Sequence, residues 1–124
     1  MKFSFDHVHV VCVELDATGR FLRETIGATE IRRNEVIRNW EFELDGVRIF
    51  VRECREDEPL ADAVIRREGV DHLGFAVADI DAAIATLSGA GCVVTQSRTQ
   101  VRAGLVTAFL MGPGGMLVEL LQRG

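Results

Sequence analysis

This 124-residue chain has no tyrosine, only two prolines and three cysteines. Cys12, Cys54 and Cys92 are an odd number at no metal-like spacing. That excludes a disulfide framework and a cysteine-bound metal, and it suits a reducing cytoplasm. No apolar run approaches the ~18 residues that span a bilayer. The opening Met1-Lys2-Phe3-Ser4-Phe5-Asp6 mixes its charges too early for a signal peptide. Basic residues are also in deficit, 14 against 19 acidic for a formal net charge of -5. Phosphate neutralisation needs a basic footprint, so nucleic acid is excluded as the main partner, and membranes with it. What remains, at 48% hydrophobic and 27% charged, is the composition of one globular domain.

The chain contains itself twice. Asp6-His7-Val8-His9-Val10-Val11-Cys12-Val13-Glu14-Leu15-Asp16-Ala17 realigns on Asp71-His72-Leu73-Gly74-Phe75-Ala76-Val77-Ala78-Asp79-Ile80-Asp81-Ala82 at an offset of 65, His7 to His72. Asp45-Gly46-Val47-Arg48-Ile49-Phe50-Val51 pairs with Gly114-Gly115-Met116-Leu117-Val118-Glu119-Leu120 at an offset of 69, Phe50 to Glu119. A loop difference of four residues reconciles the two. The expected organisation is a first module over 1–55, a linker over 56–69 and a second module over 70–124. Pro59 to Glu68 suits a short linker helix, opened by the proline and stopped by Gly69.

Within each module the hydrophobic period changes from two to 3.6 and back. Residues 7–13 alternate as a strand, and 16–26 read as a helix that buries Phe21, Leu22 and Ile26 and ends at Gly27. Strands are expected near 28–33, 36–44 and 47–53, with Asp45-Gly46 as the tight turn between the last two. The second module repeats this with a strand over 72–78, a helix over 79–89 stopped by Gly89-Ala90-Gly91, and strands near 92–97, 105–111 and 116–122. The fold class is α+β, two βαβββ modules forming a cupped mixed sheet around a cleft.

Side chains alternate across a strand, so parity sorts the faces. Val8, Val10 and Cys12 share one face of the first strand, with His7 and His9 on the other. Val47, Ile49 and Val51 oppose Arg48, Phe50 and Arg52, while Met116, Val118 and Leu120 leave Glu119 on the far side. If helices cover the apolar faces, the open faces carry His7, His9, His72, Glu119 and the two arginines. Two imidazoles and a carboxylate on one concave face are what a divalent cation in an open site needs. An Asp-His pair at a strand edge also occurs as a purely structural device, the aspartate orienting the ring.

These residues resemble the vicinal oxygen chelate superfamily of glyoxalases, bleomycin-resistance proteins and extradiol dioxygenases, over essentially the whole chain. The marks are Asp6-His7-Val8, Asp71-His72-Leu73-Gly74-Phe75-Ala76-Val77, the helix start Asp79-Ile80-Asp81-Ala82-Ala83 and Gly112-Pro113-Gly114-Gly115-Met116-Leu117-Val118-Glu119-Leu120. The resemblance implies a metal cleft with ligands at His7, His72 and Glu119, and a divalent ion such as Zn, Ni, Co, Mn or Fe. Enzymes similar to glyoxalase I or methylmalonyl-CoA epimerase carry a Glu or Gln where this chain has Phe50, so three protein ligands are implied. In layout the chain is closest to epimerase- or lyase-type members. Ring-cleaving dioxygenases use a tyrosine beside the metal, and this chain has none.

The resemblance therefore implies a metal-dependent isomerase or lyase acting on a small α-oxygenated carbonyl compound or thioester. A non-catalytic drug- or metabolite-binding protein of the resistance type is the alternative, with an Fe(II) dioxygenase behind it. Proton transfer needs a base facing the cleft, and parity offers Glu41, Glu43 and His9. Two solvated glutamates at a sheet edge would give the same pattern. Arg48 and Arg52 are candidates to grip an anionic part of the substrate, with Phe50 as the floor of its binding site. Members of the superfamily commonly pair, so a homodimer is expected.

Overall fold

The computed structural model describes residue 2 and residues 5–57 and 70–124. The expected linker helix over Pro59–Glu68 lies outside the described residues. The chain divides into two units, Met1–Leu60 and Ala61–Gly124.

The first unit runs β1 (His7–Cys12), helix α1 (Leu15–Arg20) continuing as a π-helical segment (Phe21–Ile26), β2 (Thr29–Asn34), β3 (Asn39–Leu44) and β4 (Val47–Glu53). The strands form one mixed sheet in the order β1-β4-β3-β2, with β1 parallel to β4 and the other pairs antiparallel. Gly27 ends the helix in the left-handed region at φ 91°, and the next amide, of Ala28, donates to the Leu22 carbonyl. Leu15 and Leu22 close on Cys12, Trp40, Phe42, Ile49 and Val51 from the sheet. The two-residue turn at Asp45-Gly46 has positive φ at both positions, 50° and 79°, the twist that matches the flanking strands.

The second unit repeats the order: β5 (Leu73–Ala76), α2 (Ile80–Gly89), β6 (Val93–Arg102), β7 (Leu105–Met111) and β8 (Leu117–Arg123), in a sheet ordered β5-β8-β7-β6. Asp79 caps α2, its carboxylate accepting from the Ala82 amide. Ile80, Leu87, Cys92, Ala108, Leu110, Met116, Val118 and Leu120 are the buried apolar side chains. Among the described residues, no helix is long and apolar enough to cross a membrane. Both units are thus α+β with four-stranded mixed sheets.

Two strand boundaries differ from expectation by three residues or more. The third strand begins at Asn39 rather than 36, because the Asn34 side chain accepts from the amides of Val36 and Ile37 and folds 35–38 into a turn. Val36 and Ile37, apolar enough to read as strand, stand exposed at its tip. The sixth strand extends to Arg102 instead of stopping near 97, since the Ala103-Gly104 turn, with Gly104 at φ 77°, lets the hairpin close tightly.

Candidate functional site

In the second unit His72 stands just before β5 and Glu119 lies on β8, where its neighbours Val118 and Leu120 turn inward. The imidazole is held at both ends. Nδ1 lies 2.8 Å from Asp71 Oδ2 and Nε2 lies 2.9 Å from Glu119 Oε2. The hydrogen bond to Asp71, followed by that to Glu119, raises the pKa of His72 above its ordinary value against the opposing effect of burial. The ring also meets Phe109 edge-on at 5.2 Å between centroids. Gly74, paired with Glu119 across the strands, leaves the carboxylate room: a Cβ there would lie 3.6 Å from Glu119 Oε2.

The first unit is built on the same plan with different side chains. His7 Nδ1 lies 2.7 Å from Asp6 Oδ2, which leaves Nε2 as the outward nitrogen, and this contact holds Asp6 below the usual carboxylate range. Where the second unit has Gly74 opposite Glu119, the first has His9 opposite Phe50. The Phe50 ring packs edge-on to His7 at 4.9 Å and tilts against His9 at 5.7 Å. Phe50 thus fills the place beside His7 that a carboxylate fills beside His72. Partial desolvation, then the charges of Arg52 and His7, push the His9 pKa down.

The other candidates are distributed along the same face. Register sets Arg48 opposite His7 and Glu43, Phe50 opposite His9 and Glu41, and Arg52 opposite Val11 and Asn39. The two glutamates are not free, however. Glu43 Oε1 accepts from the Gly46 amide at 2.6 Å and ties down the hairpin turn. The Glu41 side chain is only 3% exposed, with Arg32 Nε at 3.0 Å and Arg48 Nε at 3.6 Å. Arg32 was not among the residues expected from sequence. Its sign is a bulge: register slips between Glu30 and Arg32, so Glu30 faces Phe42 while Arg32 faces Glu41. Strict alternation would put both on one face.

Among the described residues, no group of three or more His, Cys, Asp or Glu side chains is arranged to hold a metal. The His72–Glu119 pair is nevertheless a fitting part of such a set. An imidazole nitrogen whose ring is held by a neighbour and a carboxylate oxygen beside it are donors for a borderline divalent ion. The aspartate on Nδ1 is the usual outer partner of a ligating histidine.

The family model described as Glyoxalase/Bleomycin resistance protein/Dioxygenase superfamily matches residues 6–110. Similar solved structures include a glyoxalase family protein from Enterococcus faecalis, 23% identical over 96% of this chain and 97% of that one, with a TM-score of 0.78. The fosfomycin resistance protein FosX from Listeria monocytogenes is 18% identical over 98% and 93%, at 0.76. TioX from Micromonospora sp. ML1 is 20% identical over 98% and 100%, at 0.70. Among curated proteins none matches the chain. With the family model covering well over half of its residues, the chain belongs to the glyoxalase/bleomycin resistance protein/dioxygenase superfamily.

Proposed function

We propose that the chain is a divalent-metal-dependent isomerase or lyase of glyoxalase or epimerase type, acting on a small α-oxygenated carbonyl compound or thioester in the cytoplasm. The observation that carries this reading is the His72–Glu119 pair, 2.9 Å apart with Asp71 on the far nitrogen and Gly74, without a side chain, beside the carboxylate. The proposed donors for Zn, Ni, Co, Mn or Fe are the residues that the resemblance implies, His7, His72 and Glu119. When bound, the ion supplies Lewis acidity that polarises a substrate carbonyl. The rest of the work falls to the chain. Asp71 and Asp6 keep both Nδ1 atoms occupied, so that Nε2 is the nitrogen offered to a ligand.

Of the three candidates for proton transfer, Glu41 and Glu43 already have partners, whereas His9 makes ring contacts. His9 is the base in this reading, receiving the proton from the carbon beside the carbonyl. The test is exchange. Methylmalonyl-CoA or a glutathione hemithioacetal, incubated in D2O with protein and nickel or cobalt, takes up deuterium at that carbon. The His9→Gln variant keeps its metal and exchanges roughly a hundredfold more slowly, the usual worth of a positioned base. Failure of both compounds to exchange sinks the isomerase and lyase reading.

A resistance-type role on a drug is the second reading, and Phe50 favours it. Its ring packs 4.9 Å from His7, an apolar surface where the resemblance puts a fourth metal ligand, as suits a non-catalytic drug- or metabolite-binding protein. In either reading the chain works as a homodimer. Sedimentation at tens of micromolar, where interfaces of ordinary strength are populated, should give twice the chain mass; a monomer there counts against it.

A further inference from the structure

A carboxylate as deeply buried as Glu41 is costly unless cations compensate it. Glu41 has two such partners, and both remain largely in solvent: the Arg32 side chain is 73% exposed and that of Arg48 55%. Both approach through Nε. Among the described residues neither guanidinium has a second ion-pair partner, which leaves the terminal Nη groups, the ones that make two-pronged grips on carboxylates and phosphates, for something else. Two guanidinium groups thus share one buried carboxylate, with Glu43 the cross-strand neighbour of Arg48. Arg48 is also the cross-strand partner of His7, and its charge helps hold the Asp6 carboxyl down.

We propose that Arg32 and Arg48, set in place by the buried Glu41, form a seat for a small oxyanion on the open face of the first sheet. The substrate then carries a carboxylate or phosphate-type group close to the atoms handled at His7. This rests on the function proposed above and adds a charge requirement to it. Glu41 acts here as a positioning residue rather than a base. Its carboxylate spreads the two guanidinium groups around itself, and the bulge at Ile31 brings Arg32 within reach.

Side-chain NMR of metal-free protein tests this apart from any metal chemistry. Inorganic phosphate, methylphosphonate and acetate are titrated separately at low salt, where screening is weak. The Nε resonances of Arg32 and Arg48 should move and saturate with at least one of them, the tighter binder identifying the group. Arg48→Gln should weaken that binding about tenfold or more, and Arg48→Lys, which keeps charge without the fork, should restore it only in part. Glu41→Gln should speed solvent exchange of the Arg32 Nε proton several-fold, because its ion-paired acceptor is gone. No saturable shift with any probe overturns the seat, and unchanged exchange overturns the role of Glu41. Absence of nickel binding in wild type would sink the metal reading and leave the phosphate result standing.

Discussion

His72→Ala and Glu119→Gln should each weaken nickel or cobalt binding about a hundredfold or more, equivalent to ~2.7 kcal/mol of the binding free energy. Calorimetric titration is the measurement, with circular dichroism as the check on folding. Each substitution deletes one of the three proposed donors. The fold should survive, because His72 lies outside the ladder and Glu119 points away from buried Val118 and Leu120. A smaller loss is expected one step further out. Asp71→Asn leaves both donors but slackens the grip on Nδ1, and partners of this kind are worth roughly ten- to a hundredfold in affinity. The order His72→Ala worst, Asp71→Asn intermediate and wild type best is itself a result. Equal affinities across the three would refute the assignment of Nε2 as a ligand.

Gly19→Ala should lower stability by about 2 kcal/mol or more, although alanine is the better helix former by roughly 1 kcal/mol. Gly19 is the point where helix α1 lies against Trp40 of the sheet. A Cβ built there would sit 2.6 Å from Cε3 of the indole and 3.4 Å from Cζ of Phe42. The indole has nowhere simple to go. It is 1% exposed and carries the Arg33 guanidinium over its ring at 3.9 Å. For a chain of this length the loss corresponds to a fall in Tm of about 8 °C, read by calorimetry or thermal denaturation. Gly89→Ala, at the end of α2 with nothing within 4 Å of its added Cβ, is the control and should be neutral or slightly stabilising. Trp40→Phe should relieve part of the Gly19→Ala penalty, since the two sites share one volume. If Gly19→Ala melts with wild type, the close approach of helix and indole is wrong.

Much of this was legible in the sequence because it is local. The repeat of Asp-His before a strand, the change of period from two to 3.6, and the glycines closing each helix set the order β-α-β-β-β in both halves. Parity alone put His7, His9, Arg48 and Phe50 on one face, since alternation along an unbroken strand follows from backbone geometry. It also put Glu41 and Glu43 there. What they do on that face depends on partners distant in sequence. Gly46, three residues from Glu43, is close enough to guess; Arg32 reaches Glu41 only through the bulge at Ile31, and a bulge inverts every side chain beyond it without a fixed sequence mark. The Asx turn at Asn34 likewise overruled the apolar Val36-Ile37, because a side-chain acceptor satisfied two backbone amides that a strand would have used. Sequence by itself determined the family, the two modules and the residue types offered for chemistry, all properties of periodicity and local backbone preference. Only tertiary structure decided which of those residues were already engaged, since burial of Glu41 and packing of Phe50 against His7 are set by contacts between strands far apart in the chain.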